Sequence, residues 1–99
     1  MLTDEGLLYK REAWSGLQRV YRFGKYGVSA INGKAIRSYP YAWECAIIRF
    51  TIGEQFTLDY STPMTDDFEV FMTDEETNEF ILKVKAWSEG ESNGRTKES

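Results

Sequence analysis

Apolar and polar positions first fall into a regular order at Leu17. The run "LQRVYRF" mixes β-branched and aromatic residues with polar ones, as a pleated, half-buried strand does. Two glycines then bracket a tight reversal in "GKYG", and "VSAI" resumes the pattern. Together they predict a β-hairpin, and "NGK" marks a further turn. Pro40 makes "AIRSYPYA" a loop or a broken edge strand, because proline has no amide proton for a ladder. "WECAIIRFTI", Trp43 to Ile52, is apolar on both faces: Trp43, Cys45 and Ile47 on one, Ala46, Ile48, Phe50 and Ile52 on the other. That is the signature of a central strand covered on each side. After a "GE" turn, "QFTLDY" alternates, with Phe56, Leu58 and Tyr60 directed inward and Gln55, Thr57 and Asp59 outward.

The period then changes. "TDDFEVFM" fits one helical turn or a short strand. Thr73 followed by Glu76 reads as a capping box, with Thr73 as N-cap. Phe80, Ile81, Val84 and Trp87 follow at helical spacing, so a helix is predicted from about Asp74 to Ser88, ended by Gly90. The first sixteen residues, with Leu7, Leu8 and Trp14, fit a short helix or an edge strand equally well. The expected architecture is α+β: an antiparallel sheet of about four strands with one C-terminal helix packed on one face. Residues 1–88 form a single domain, with 1–16 an extension of unassigned structure and 89–99 a disordered polar tail. Something else must cover the second face, either the N-terminal segment or a second copy of the chain in a homodimer.

Composition supports a folded chain. Of 99 residues, 41% are apolar and 15% aromatic, too many for a disordered protein. Neither a secretory leader nor an apolar run long enough to span a bilayer is legible, so a cytoplasmic protein is expected. Cys45 is the sole cysteine and there is no histidine. Cys45 lies between apolar neighbours with no imidazole to activate it, which predicts a packed thiol. No nucleophile, phosphate-loop or dinucleotide motif is present, and a non-enzymatic protein without cofactor or metal is expected. Asp66, Asp67, Glu69 and Asp74 offer oxygen ligands but lack the spacing of a calcium loop.

Charge is sorted along the chain. Residues 50–82 hold nine carboxylates and no Lys or Arg, whereas residues 10–49 hold eight basic and two acidic residues. Asp74, Glu75 and Glu76 are explained locally, since the first turn of a helix favours anions. Lys83 and Lys85 suit its later turns, and Glu79 and Lys83 have the spacing of an i,i+4 pair. Asp59, Asp66, Asp67 and Glu69 are not explained in this way. They form a solvated rim, pair with the basic hairpin, or make an acidic patch for a basic partner. In the basic half, Arg19, Arg22 and Lys25 alternate with Tyr21 and Tyr26, a pattern that single-stranded nucleic-acid binders use for phosphate contact and base stacking.

"YGVSAI", "WECAII" and "LDYSTPMTDDFEVFMTDEE" together resemble small phage-encoded proteins of unknown function, over about residues 24–88. The shared pattern is Y-G-x-S, W-E-x-A, then L-x-Y-x-T-P-x-T-D-D before a short acidic helix. The likeness leaves out the N-terminal "MLTDEGLLYKREAWSG". It implies a viral accessory protein, and such proteins often bind and block a host nucleic-acid enzyme or defence complex. The expected partner is then a host protein with a basic surface, met by Asp59, Asp66, Asp67 and Glu69 in the host cytoplasm.

Overall fold

The computed structural model describes residues 1–13, 16–33, 42–64 and 68–98, without the side chains of 13, 33 and 91–98. Six strands, β1 (Leu7–Ala13), β2 (Gly16–Phe23), β3 (Tyr26–Gly33), β4 (Trp43–Phe50), β5 (Phe56–Leu58) and β6 (Glu69–Phe71), precede one helix, α1 (Asp74–Glu98). They form one sheet in the order β1-β2-β3-β4-β5, and β6 also pairs with β4. All pairings are antiparallel. The α+β architecture is therefore the one expected, with six strands rather than about four. The two added strands are the ambiguous segments: the N-terminal stretch is an edge strand, and "EVF" is a short strand rather than a helical turn.

The β2–β3 hairpin closes over Gly24 and Lys25, with Gly24 at φ 78°. A left-handed residue at the first loop position matches the twist of the flanking strands. Gly27 has a different purpose, because a Cβ there would overlap the Tyr21 carbonyl. The close approach of β2 and β3 needs a residue without a side chain. The turn after β4 closes with the Gln55 amide donating to the Ile52 carbonyl at 2.9 Å, over Gly53 and Glu54.

The sheet has a core on each face. On the helix side Leu2, Tyr21, Phe23, Val28, Ala30, Cys45 and Ile47 pack against Phe80, Ile81 and Val84. On the second face Val20, Ile48 and Phe50 are buried, with Leu8, Tyr9 and Phe56 against them. The N-terminal segment thus serves both faces. Leu2 enters the helix-side core, while Leu8 and Tyr9 of β1, itself a strand of the sheet, pack beside the second-face cluster.

Thr73 caps α1 as predicted, its hydroxyl accepting the Glu76 amide at 3.1 Å and donating to the Glu76 carboxylate at 3.3 Å. The buried stripe extends the predicted one by Thr77 and Ser88. The Thr77 hydroxyl donates to the Thr73 carbonyl at 2.8 Å, and that of Ser88 donates to the Phe23 carbonyl. Both inward polar groups are thereby satisfied. The helix does not stop at Gly90 but continues to Glu98. An interior glycine costs about 1 kcal/mol, which weakens a helix without ending it. Among the described side chains of α1, the i,i+4 ion pair joins Lys85 to Glu89 at 3.3 Å rather than Glu79 to Lys83. Among the described residues no helix is long and apolar enough to cross a membrane.

Candidate functional site

The basic hairpin keeps much less of its chemistry at the surface than its sequence suggests. Arg19 and Tyr21 lie on the helix-facing side of β2, 7% and 0% exposed. Arg19 Nε donates to the Tyr21 hydroxyl at 2.8 Å, and Nη2 donates to the Thr3 carbonyl at 3.1 Å and to the Asp4 carboxylate. The Tyr21 hydroxyl in turn donates to the Thr3 carbonyl at 2.7 Å. Burial opposes the Arg19 charge, but its bonds to Tyr21 and Asp4 outweigh that and raise its pKa. Burial raises that of Tyr21, against the lowering effect of its bond from Arg19. This network fastens the N-terminal segment to the sheet. It leaves no Tyr21 ring face on which a base can stack.

Arg22 points to the second face and bridges two turns. It donates to the Gly24 carbonyl at 3.0 Å and the Gly53 carbonyl at 2.7 Å, with its guanidinium 4.3 Å from the Phe50 ring centre. Tyr26 packs on Trp87, ring centres 4.7 Å apart. Lys25 is exposed, and its carbonyl accepts the Phe50 amide. The structure thus corrects the nucleic-acid set: Arg19 and Tyr21 are internal, Arg22 and Tyr26 are engaged in packing, and Lys25 reaches solvent.

The acidic set divides as well. Asp66 and Asp67 lie outside the described residues. Asp59 is half-buried, accepting the Ser61 amide at 2.9 Å and the Ser61 hydroxyl at 2.5 Å, with Arg49 Nε 3.5 Å away. The two Ser61 bonds, then Arg49, hold its carboxyl below the ordinary aspartate range. Asp59 is therefore a turn residue in an ion pair as much as a surface charge. Glu69 is exposed at the start of β6. Glu69 pairs with Cys45, and the Asp59 amide donates to the Ile47 carbonyl. Cys45 and Ile47 share the helix-side face, so the alternation of strands puts Asp59 and Glu69 on that face along one edge of β4.

The charges continue onto α1, where Glu75, Glu76 and Glu79 are exposed. Asp74 is half-buried. It meets the Met1 amino group at 2.9 Å and accepts the Trp43 indole N–H at 3.0 Å, and these hold its carboxyl below the usual value. Between β6 and α1 lies an open groove of about 650 Å³, lined by Phe71, Glu76, Glu79, Phe80, Leu82 and Lys83. Its rings, Phe71 and Phe80, have centres 5.1 Å apart. Sequence reasoning placed Phe80 in the core and did not anticipate a groove, because Phe71 and Phe80 belong to different elements.

The opposite side of the same edge is apolar and open. Leu58 is 54% exposed, Val70 37% and Met72 53%. The sequence directed Leu58 and Tyr60 inward; both are exposed instead. Of Phe56, Leu58 and Tyr60 only Phe56 is half-buried, and Asp59, expected outward, is half-buried as well, because β5 lies beyond β4, where the second-face core ends.

Cys45 is fully buried, and burial, with Glu44 and Glu69 adding negative charge, pushes its thiol far up, so it stays protonated and unreactive. Among the described residues, no three potential metal ligands come together. No known protein family, curated protein or solved structure matches the chain.

Proposed function

We propose that this protein is a non-enzymatic interaction module that binds a basic protein surface through its acidic half. As the likeness to phage-encoded proteins implies, it acts in the host cytoplasm by blocking a nucleic-acid-handling or defence protein. The observation that carries this reading is the run of nine carboxylates without a cation over residues 50–82. Four of them, Glu69 of β6 and Glu75, Glu76 and Glu79 of α1, have exposed side chains toward one end of β4, whereas exposed Glu54 lies in the turn at its other end, beside the Gly53 carbonyl that Arg22 binds. Charges of one sign steer an oppositely charged partner over about one Debye length, roughly 8 Å at physiological salt. The rival reading, nucleic-acid contact by the hairpin, loses support because Arg19 and Tyr21 are buried.

The test is affinity capture of the tagged protein from host lysate, with and without nuclease. A protein recovered in stoichiometric amount after nuclease, and released by added salt, is the expected result. Recovery that vanishes with nuclease would overturn the proposal in favour of nucleic acid.

A further inference from the structure

We infer that the groove between β6 and α1 is a docking site for a basic peptide segment carrying a bulky apolar side chain. This deepens the acidic-surface reading and rests on it. Two features of the groove point to such an occupant. Part of its lining is apolar: Phe71 is half-buried, Phe80 is buried and Leu82 is 41% exposed. Its rim is acidic: Glu76 and Glu79 face solvent, against one lining cation, Lys83. Among the described residues, the Met1 amino group is held by Asp74. The groove's volume of about 650 Å³ suits a few side chains, within the roughly 300–1,000 Å³ usual for ligand clefts.

Charge complementarity selects among occupants. A nucleic acid would set phosphates against Glu76 and Glu79. A second copy meeting the same groove across a two-fold axis would bring four glutamates and only two lysines into one interface. A segment with Lys or Arg beside a Trp, Leu or Phe satisfies both parts: the apolar side chain leaves water on Phe71 and Leu82, and the cations pair at the rim. Such an anchor in a pocket with a charged rim is how peptide segments gain specificity beyond bulk attraction.

The experiment is an amide NMR titration of the full chain at low ionic strength with three short synthetic peptides. One alternates lysine with leucine around a central tryptophan, one is oligolysine of equal charge, and one has glutamate in place of each lysine of the first. The expected result is saturable shifts at Phe71, Glu76, Glu79, Phe80 and Leu82 with the first peptide. Both other peptides should bind more weakly, and E76Q/E79Q should lower affinity for the first by about tenfold, as two exposed charge contacts would. Gln at position 76 retains the capping pattern, so the helix start survives. Equal binding of oligolysine, with shifts spread over the acidic residues, would overturn the groove while leaving the acidic surface intact. Equal binding of the glutamate peptide would overturn the charge argument. Absence of binding by both basic peptides would overturn the groove, while the acidic-surface reading stands or falls by the capture experiment.

Discussion

Gly27→Ala tests the strand packing on which both faces of the sheet depend. Gly27 faces Arg22 across the β2–β3 pair. A Cβ added there would overlap the Tyr21 carbonyl oxygen and lie 2.9 Å from its carbon and 3.0 Å from Phe50 Cε2. The Tyr21 atoms are backbone, so no rotamer change relieves the contact. Restoring van der Waals separation moves β2 and β3 apart by about 1 Å or more. That shift reaches Tyr21 in the helix-side core and Phe50 in the other. Overpacking costs typically about 1–3 kcal/mol, and a backbone clash belongs at the upper end, near 3 kcal/mol. A chain of this length has roughly 5–15 kcal/mol of total stability, so the loss is a large share. At about 4–8 °C per kcal/mol, the midpoint should fall by about 12–24 °C. Urea unfolding followed by tryptophan fluorescence, with circular dichroism in parallel, measures it. A change within about 0.5 kcal/mol of the parent, the range of an ordinary surface substitution, would refute the close approach of the two strands.

Three further outcomes are expected. Arg19→Met should cost about 2 kcal/mol by removing the charged donor from Thr3 and Tyr21; with Tyr21→Phe the losses should be less than additive, and strict additivity in a double-mutant cycle would contradict a shared network. Asp59 and Asp74 hold depressed pKa values in the folded chain, so their contribution is complete above the unfolded value of about 3.9 and is lost as pH falls through the folded values. Stability measured across that acid range should flatten in Asp59→Asn/Asp74→Asn, and an unchanged acid limb would contradict the assignment. Gly90→Ala, at an exposed helical position where a Cβ meets nothing within 4 Å, should raise stability by about 0.5–1 kcal/mol; a loss in the same unfolding assay would show that the helix does not pass through it.

What could be read in the chain follows from the range of each interaction. The β2–β3 hairpin, the core of β4 and the Thr73–Glu76 cap are local patterns, and the structure has them where the sequence places them, whereas β4 ends at Phe50 with Ile52 exposed and β5 is only Phe56–Leu58, with Leu58 and Tyr60 exposed. The edge strand β1 was ambiguous because Lys10, Arg11 and Glu12 give no apolar alternation, its place being set by pairing with β2. Three-residue β6 is too short for any period and exists through β4. The burial of Arg19 depends on Thr3 and Asp4, 16 and 15 positions away, so its local pattern is that of a surface cation. The candidate site shows the same division. Glu76 and Glu79 belong to an acidic run that is plain in the sequence, but the groove they line arises only when Phe71 of β6 meets Phe80 of α1.

The central claim is that the acidic half, and not the basic hairpin, makes the functional contact. Its most direct test is quantitative capture from nuclease-treated host lysate by two variants beside the parent. One is Glu69→Gln/Glu75→Gln/Glu76→Gln/Glu79→Gln, and the other is Arg22→Gln/Lys25→Gln. Both remove exposed charges, and circular dichroism checks that each is folded. The account expects the first variant to lose the partner recovered by the parent and the second to keep it. Retention by the first and loss by the second would contradict it.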